Sequence, residues 1–327
     1  MVMTLMRFNF ILPGLDPQTM SRTYRAGLDM AAAADEHGFD MITLEEHHGA
    51  ENGWSSTPLL NAGMILSRTS RLSVGLMALL LPLHDPLRVA EDIAVLDLAS
   101  GGRFSFIAGM GYRPSEYAAH GKDWSKRGEL MDEYVDVLLK AWTGEPFEYR
   151  GTTVRVTPRP LTQPHPPLMI GGTAKASARR AARFGLPFFP ADHMPELQAY
   201  YNEQCEALGV QGMCMMPGAT TTMTFVAEDP DKAWAEIGHH LLHEAVTYSD
   251  WQTPDIRSAA HSHARTVDEL RAEGKYAIRT PAEVVAQAKA EGDLAGINLH
   301  PLCGGIPVDQ AWEYLQLFFD KVVPEIS

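Results

Sequence analysis

Two acids and two imidazoles stand together in Glu45-Glu46-His47-His48, directly after the apolar run Phe39 to Leu44. Groups of this kind near a core are costly to desolvate and need a partner or a task. An imidazole ionises near neutral pH and suits proton transfer, while a carboxylate beside it suits orientation or charge balance. The apolar run reads as a buried strand, and in α/β proteins ligands sit at the strand exits. Neighbouring residues of an extended chain face opposite sides. One of Glu45 and Glu46 is therefore expected to turn outward and pair with an outer helix.

Similar positions recur along the chain. Met77 and Ala78 lie within a third apolar stretch with His84 beyond it, and Gly109 to Arg113 follow a fourth. Gly171-Gly172-Thr173 follow a fifth, Asp192 and His193 a sixth, and His300 the last. The Gly-Gly-Thr turn opens a helix, whose first amides are unsatisfied donors and whose dipole favours an anion. It reads as a phosphate seat, with Ser177 one turn further on. Plainer roles fall to His84 as a capping or packing residue, Asp192 as a helix cap, and His261 and His263 as surface residues. Arg179, Arg180 and Arg183 read mostly as outer charges. Cys205, Cys214 and Cys303 are odd in number without C-x-x-C spacing, which suits reduced structural thiols.

These positions presuppose an alternation of strand and helix. Strands are expected at Arg7–Leu12, Phe39–Leu44, Leu72–Leu81 with an irregularity at Gly75, Phe104–Ala108, Pro167–Ile170, Leu186–Pro190, Thr220–Ala227 and Gly296–Leu302. Between them, helices are expected at 22–37, 57–67, 85–98, 129–142, 175–184, 195–208, 230–245, 281–290 and 308–322. Residues 145–167 break the rhythm with a hairpin around Arg150-Gly151-Thr152, and 246–280, with Trp251 and Pro254, read as an irregular lid or insertion too long for a routine loop. About eight β-then-α units without a linker point to one domain over 1–327, a (β/α)8 TIM barrel with insertions. An open doubly wound sheet is the alternative, weakened by the lack of G-x-G-x-x-G after the first strand.

Composition narrows the setting. Lys and Arg number 27 against 41 Asp and Glu, a net charge of −14 with no basic run, so no nucleic-acid partner is expected. No apolar run approaches the ~20 residues that span a bilayer, and no segment has the build of a signal peptide. A cytoplasmic protein without a membrane partner is the expectation.

The chain resembles the bacterial luciferase-like family of flavin-dependent oxidoreductases, most strongly between residues 40 and 190. The resemblance is carried by LEEHH (44–48), VGLMALLLPLHDPLRVAEDIAVLDLASGGRF (74–104), GMGYRPSEYAAHG (109–121) and IGGTAKASARRAARFG (170–185). It implies a (β/α)8 barrel whose mouth binds reduced FMN or, in some branches, the deazaflavin F-420. By position, Glu46 and His47 match the family's flavin-site acid and catalytic histidine. Met77 and Ala78 match the pair beneath the isoalloxazine, where the family often has a non-proline cis peptide. Gly172, Thr173, Ala174 and Ser177 fall on the phosphate-binding turn. The luciferases place a cysteine and an arginine after the fourth strand; here these positions are Gly109 and Met110, and Arg113 is the candidate to reach the cofactor instead. The missing thiol argues against light emission from a long-chain aldehyde.

The function implied is a monooxygenase that takes reduced FMN from a separate flavin reductase and directs oxygen to a small organic substrate, with His47 as acid or base and 246–280 as lid. A homodimer is expected. An F-420-dependent dehydrogenase or reductase on the same barrel is the nearest alternative, and a non-catalytic flavin-binding protein is a second. A metal-dependent hydrolase using His47, His48 and His193 is disfavoured, because adjacent histidines rarely ligate one ion and the first strand has no H-x-H pair.

Overall fold

The computed structural model describes residues 2–218, 222–253, 256–292 and 296–326. Segments such as Met41–Leu44 and Met223–Val226 are buried over nearly their whole length. Strands covered on both faces need helices outside them, and parallel neighbours need a crossover that returns the chain to the same end. The element order meets both requirements. It runs β1 (Met3–Phe8), α1 (Pro17–Glu36), β2 (Met41–Leu44), α2 (Pro58–Leu66), β3 (Ser73–Leu80), α3 (Pro86–Ser100), β4 (Phe104–Gly109), α4 (Pro114–Ala119) and α5 (Arg127–Ala141). The hairpin β5 (Phe147–Tyr149) and β6 (Thr152–Val154) comes next, then β7 (Leu168–Gly172), α6 (Lys175–Phe184), β8 (Phe188–Pro190), α7 (Pro195–Leu208) and β9 (Met223–Val226). The chain continues through α8 (Pro230–Asp250), α9 (Val267–Glu273), β10 (Tyr276–Arg279), α10 (Pro281–Glu291), β11 (Gly296–Leu299), α11 (Val308–Lys321) and α12 (Val323–Ile326).

One sheet of nine strands, in the order β10-β9-β11-β1-β2-β3-β4-β7-β8, carries the molecule, and its ladders are parallel. This is a TIM-barrel-like α/β fold, with β8 and β10 as the two ends of the sheet among the described residues. Local chemistry sets the helix starts. Asp16, Asp85, Asp229, Thr266 and Thr280 each cap a helix with a side-chain oxygen, and such caps are worth about 1 kcal/mol apiece. Phe8, Phe104, Phe106, Phe188 and Trp142 are among the largest fully buried side chains. Among the described residues no helix is long and apolar enough to cross a membrane.

Several expectations are revised. Residues 246–280 are irregular only in part: α8 runs on through Tyr248 to Asp250, the described residues from 251 to 266 hold neither helix nor strand, α9 follows, and β10 adds a strand beside β9. The polar stretch after Arg113 holds a short helix, α4, that the sequence reading left unassigned. In β3 the irregularity falls at Met77–Leu79, where the register against β4 shifts, rather than at Gly75. Thr220 and Pro254 lie outside the described residues.

Candidate active site

The exits of β2, β4 and α8 converge on His47. Its ring is buried and touches four aromatic rings edge-on, with centroids at 5.3 Å to Trp54, 5.5 Å to Tyr112, 6.2 Å to Tyr248 and 4.9 Å to Trp251. Both ring nitrogens are engaged. Nδ1 lies 3.2 Å from Glu116 Oε1, and Nε2 lies 3.3 Å from the Tyr112 hydroxyl. Oε1 of Glu116 also accepts from the His48 amide at 2.9 Å and from Arg113 at 3.0 Å. Burial alone would raise the Glu116 carboxyl, but the His47 hydrogen bond and charge, the amide and Arg113 together hold it below the usual range. Its second oxygen, Oε2, is buried with no hydrogen-bond partner among the described residues.

Glu46 faces a different group. Its Oε1 lies 2.9 Å from His48 Nε2 and 2.6 Å from His84 Nε2, and its Oε2 accepts from the Leu80 amide at 2.6 Å. Burial works against ionisation, yet the hydrogen bonds from His48 and His84, the charge of His84 and the Leu80 amide hold the carboxyl at about 2. Two ligands on one ion with bonds of about 2.0–2.2 Å sit about 3 Å apart or more, so the 2.6 Å separation of His84 and Glu46 is that of a hydrogen bond. The acid hydrogen-bonded to His47 is thus Glu116, and His84 caps the short turn 81–83 with its amide while its ring meets Glu46.

Glu45 turns inward too, and not to an outer helix. It pairs with Arg7 and accepts from Trp54 Nε1 at 3.1 Å. Arg7 lies 3.1 Å from Glu244, whose other oxygen accepts from Asn9 and His300 at 2.8 Å each. Burial opposes the charge on Glu244, but His300 and Arg7 outweigh it and push its carboxyl far down. His300 is therefore part of a closed interior network. Cys303 joins it with its thiol 3.2 Å from Glu244, and burial pushes that thiol well up, a structural rather than reactive setting.

The remaining candidates occupy neighbouring exits. The Met77–Ala78 peptide is cis. A Cβ on Gly109 would meet the Ala78 Cβ at 2.9 Å, so glycine at this position lets β3 and β4 close together where a cysteine side chain would not fit. Met110 packs partly buried against the main core, and its carbonyl accepts from the Tyr117 hydroxyl at 2.5 Å. Gly172 has φ +150, and a Cβ there would run into Ser177, itself buried at the start of α6. Ala174 caps α6 without a side-chain bond, and the first turn of α6 contains no acid. The Ser177 amide donates to the Ala174 carbonyl at 2.9 Å, and the helix dipole favours an anion at this end of α6. Arg113 does not extend toward this turn with a free guanidinium: it donates to the His48 carbonyl and Glu116 and stacks over Trp251 at 4.2 Å. Asp192 caps no helix side chain to amide; it accepts from the adjacent His193 amide and pairs with Arg257. His193 Nδ1 meets the Pro217 carbonyl, apart from His47 and His48. His261 is half-buried against Gln252, His263 is exposed, and Arg180 is buried against Asp132.

Glu116 is the residue that the sequence does not point to; Tyr112 belongs to the expected Gly109–Arg113 exit, and Tyr248 and Trp251 to the expected lid segment. The motif GMGYRPSEYAAHG contains Glu116, and a helix starting at Pro114 would have put it one turn in, on the side of the loop that returns to β2.

The family model described as luciferase-like monooxygenase matches residues 3–298. The alkanal monooxygenase alpha chain of a Kryptophanaron alfredi symbiont is 31% identical over 185 residues, 55% of this chain and 52% of its own. The oxygenase component of the flavin-dependent trigonelline monooxygenase of Acinetobacter baylyi is 26% identical over 204 residues, 58% of this chain and 56% of its own. The chain spans about half the length of the curated relatives it matches. Among solved structures, monooxygenase RslO1 of Streptomyces bottropensis superposes with a TM-score of 0.78 at 23% identity, covering 100% of both chains. The oxygenating constituent of 3,6-diketocamphane monooxygenase of Pseudomonas putida, in complex with FMN, gives 0.70 at 17%, also over 100% of both. An F420-dependent secondary alcohol dehydrogenase gives 0.68 at 16%, over 100% of this chain and 99% of its own. At these identities the superpositions speak to the fold alone. The family match covers most of the chain: this protein belongs to the luciferase-like monooxygenase family.

Proposed function

We propose that the protein is a flavin-dependent monooxygenase that takes reduced FMN from a separate reductase and oxidises a small organic substrate. The observation that carries this reading is His47, a buried imidazole with Glu116 on one nitrogen and a hydroxyl on the other, inside an aromatic cage at the mouth of the sheet. The acid-free N-terminal end of α6 and the Gly172–Ser177 turn suit a phosphate. Gly172, Thr173, Ala174 and Ser177 would hold that end of the cofactor, and Met77, Ala78, Gly109 and Met110 would line its ring. Reduced flavin, when bound, supplies the electrons that activate oxygen. The chain's own residues do the rest. His47 holds or releases a proton at Nε2, Glu116 keeps its ring oriented, and Trp54, Tyr248 and Trp251 exclude water around it. The trigonelline relative is named as an oxygenase component, which supports a separate reductase as partner. Exposed Leu60 on α2 and Val95 and Leu98 on α3 support a homodimer, and the acidic surface supports a cytoplasmic setting.

The test is binding of FMN, reduced FMN and F-420 to the purified protein by equilibrium dialysis, followed by oxygen uptake with the cofactor that binds. Reduced FMN with substrate-stimulated oxygen uptake is the expected result. Preference for F-420 without oxygen uptake would replace this reading with a hydride-transferring dehydrogenase, and flavin binding without stimulated uptake would leave a flavin carrier. His47→Ala is expected to keep FMN affinity while lowering turnover by about 100-fold or more.

A further inference from the structure

Glu116, His47 and Tyr112 form one line of hydrogen bonds across the aromatic cage. While its carboxylate is ionised, Glu116 Oε1 only accepts, so the proton of His47 sits on Nδ1. Nε2 of the neutral ring then turns its lone pair to the Tyr112 hydroxyl at 3.3 Å. A hydroxyl can donate or accept, so this contact persists when the ring gains a proton, with its direction reversed. The same Glu116 oxygen is fixed by the His48 amide and by Arg113. Its other oxygen is buried and bare, an unusual state for a purely structural carboxylate, which would normally be fully paired.

We propose that Glu116, His47 and Tyr112 act as a proton relay, with the Tyr112 hydroxyl as the catalytic group at the ligand, His47 as the base behind it and Glu116 as a positioning residue. The proposal rests on the flavin-monooxygenase reading of the same mouth. When Tyr112 takes a proton from an acidic O–H or N–H of a bound ligand, its own proton passes to His47 Nε2. The ligand's bond to hydrogen and the old phenolic O–H break, a new phenolic O–H and an imidazole N–H form, and the ligand keeps the electron pair as an anion. The positive charge arises beside the Glu116 carboxylate, and the reverse sequence returns a proton. Burial, with Tyr248, Glu116 and Glu45 adding to it, keeps Tyr112 from ionising alone, so protons pass through the phenol rather than being lost from it. The titratable and charged groups around His47 are Glu116, Arg113 and Tyr112 after β4, Tyr248 on α8, and Glu45 on its own segment.

The experiment begins with nitrogen-15 NMR of the histidines in the ligand-free protein. Neutral His47 is expected to carry its proton on Nδ1. Tyr112→Phe should move the Nε2 resonance, and Glu116→Gln should abolish the Nδ1 preference. With reduced FMN as probe, the rate of its reoxidation is compared between the unaltered enzyme and Tyr112→Phe. Tyr112→Phe should lower the maximal rate by about 10-fold or more while the half-saturating FMN concentration changes less than ~2-fold. A proton on Nε2 in the unaltered protein, or an unchanged maximal rate in Tyr112→Phe, overturns the relay. The NMR result decides the relay with no flavin present, so a failure of FMN to bind would count against the cofactor reading alone.

Discussion

Glu45 and Glu46 are adjacent in sequence and have unrelated tasks. Glu45 balances Arg7 inside the sheet, whereas Glu46 gathers His48, His84 and the Leu80 amide and so ties the β2 exit to the β3 exit. Its carboxyl sits at about 2 against an ordinary 4.5. The folded value is below the unfolded one, so the unfolded chain binds this proton first as pH falls. The stabilisation is fully present above pH 4.5 and is lost as pH falls toward about 2, a span equivalent to roughly 3 kcal/mol. Unfolding free energies in urea at pH 6 and pH 3 should therefore fall more for the unaltered protein than for Glu46→Gln, and parallel losses would remove Glu46 from the acid response. Sequence made His47 legible because an imidazole at a strand exit is chemically conspicuous. Glu116 was not legible: it is 69 positions from His47 and reaches it only because α4 turns back over β2. Glu46, which the resemblance marks as the flavin-site acid, instead bonds His48, His84 and the Leu80 amide in this structure.

α8 determines what covers the cage. Its last turns bring Tyr248 and Trp251 against His47, and the following segment is tied down by Arg257 to Asp192 and Glu196 and by the Ala259 amide to the Ala191 carbonyl. Exposed ion pairs of this sort contribute up to about 1 kcal/mol, so they hold the segment lightly. Arg257→Ala should leave global unfolding within about 1 kcal/mol of the unaltered protein while speeding amide exchange across 256–264, measured by hydrogen–deuterium exchange. Unchanged exchange there would mean the arginine is not the latch. At its other contact α8 is held rigidly. Gly304 has φ +55, and a Cβ would run into the His240 carbonyl, so Gly304→Ala is expected to cost several kcal/mol, read as a lowered thermal midpoint. Helices with strong end signals were readable: α6 and α7 begin and end where Gly185, Pro195 and Gly209 say they should. The end of α8 was not, because Thr247 to Asp250 lack both an apolar repeat and a stop glycine and are helical through the tertiary contacts of Tyr248 and Ser249. The short strand β10 was hidden for a related reason, since four residues give too little alternation to separate from a loop.

At the scale of the whole molecule, a net charge of −14 works against self-association, so any stable pairing must come from a surface that buries apolar groups and mixes its charges. Helices α2 and α3 offer such a surface. Val95 and Leu98 are one turn apart on α3 and exposed, with Leu60 exposed on the adjoining α2, and Arg88 lies near Glu91 and Asp92 on the same helix. A two-fold axis through α3 would place each arginine opposite the partner's acids and the two apolar strips together, which satisfies the self-complementarity a symmetric dimer needs. Burying a side chain of this size is worth about 1.5–3 kcal/mol, and both copies contribute. The protein is therefore expected to sediment at twice the 36.0 kDa of one chain. Val95→Glu should place like charges across the axis and shift the species to the monomer with an unchanged far-UV spectrum. A monomer before substitution, or a dimer that survives it, would place the partner surface elsewhere. The position of α2 and α3 behind β2 and β3 gives the dimer a further consequence: those strands deliver His47 and the Met77–Ala78 peptide, so the monomeric variant should also bind FMN more weakly, by equilibrium dialysis, than the dimer.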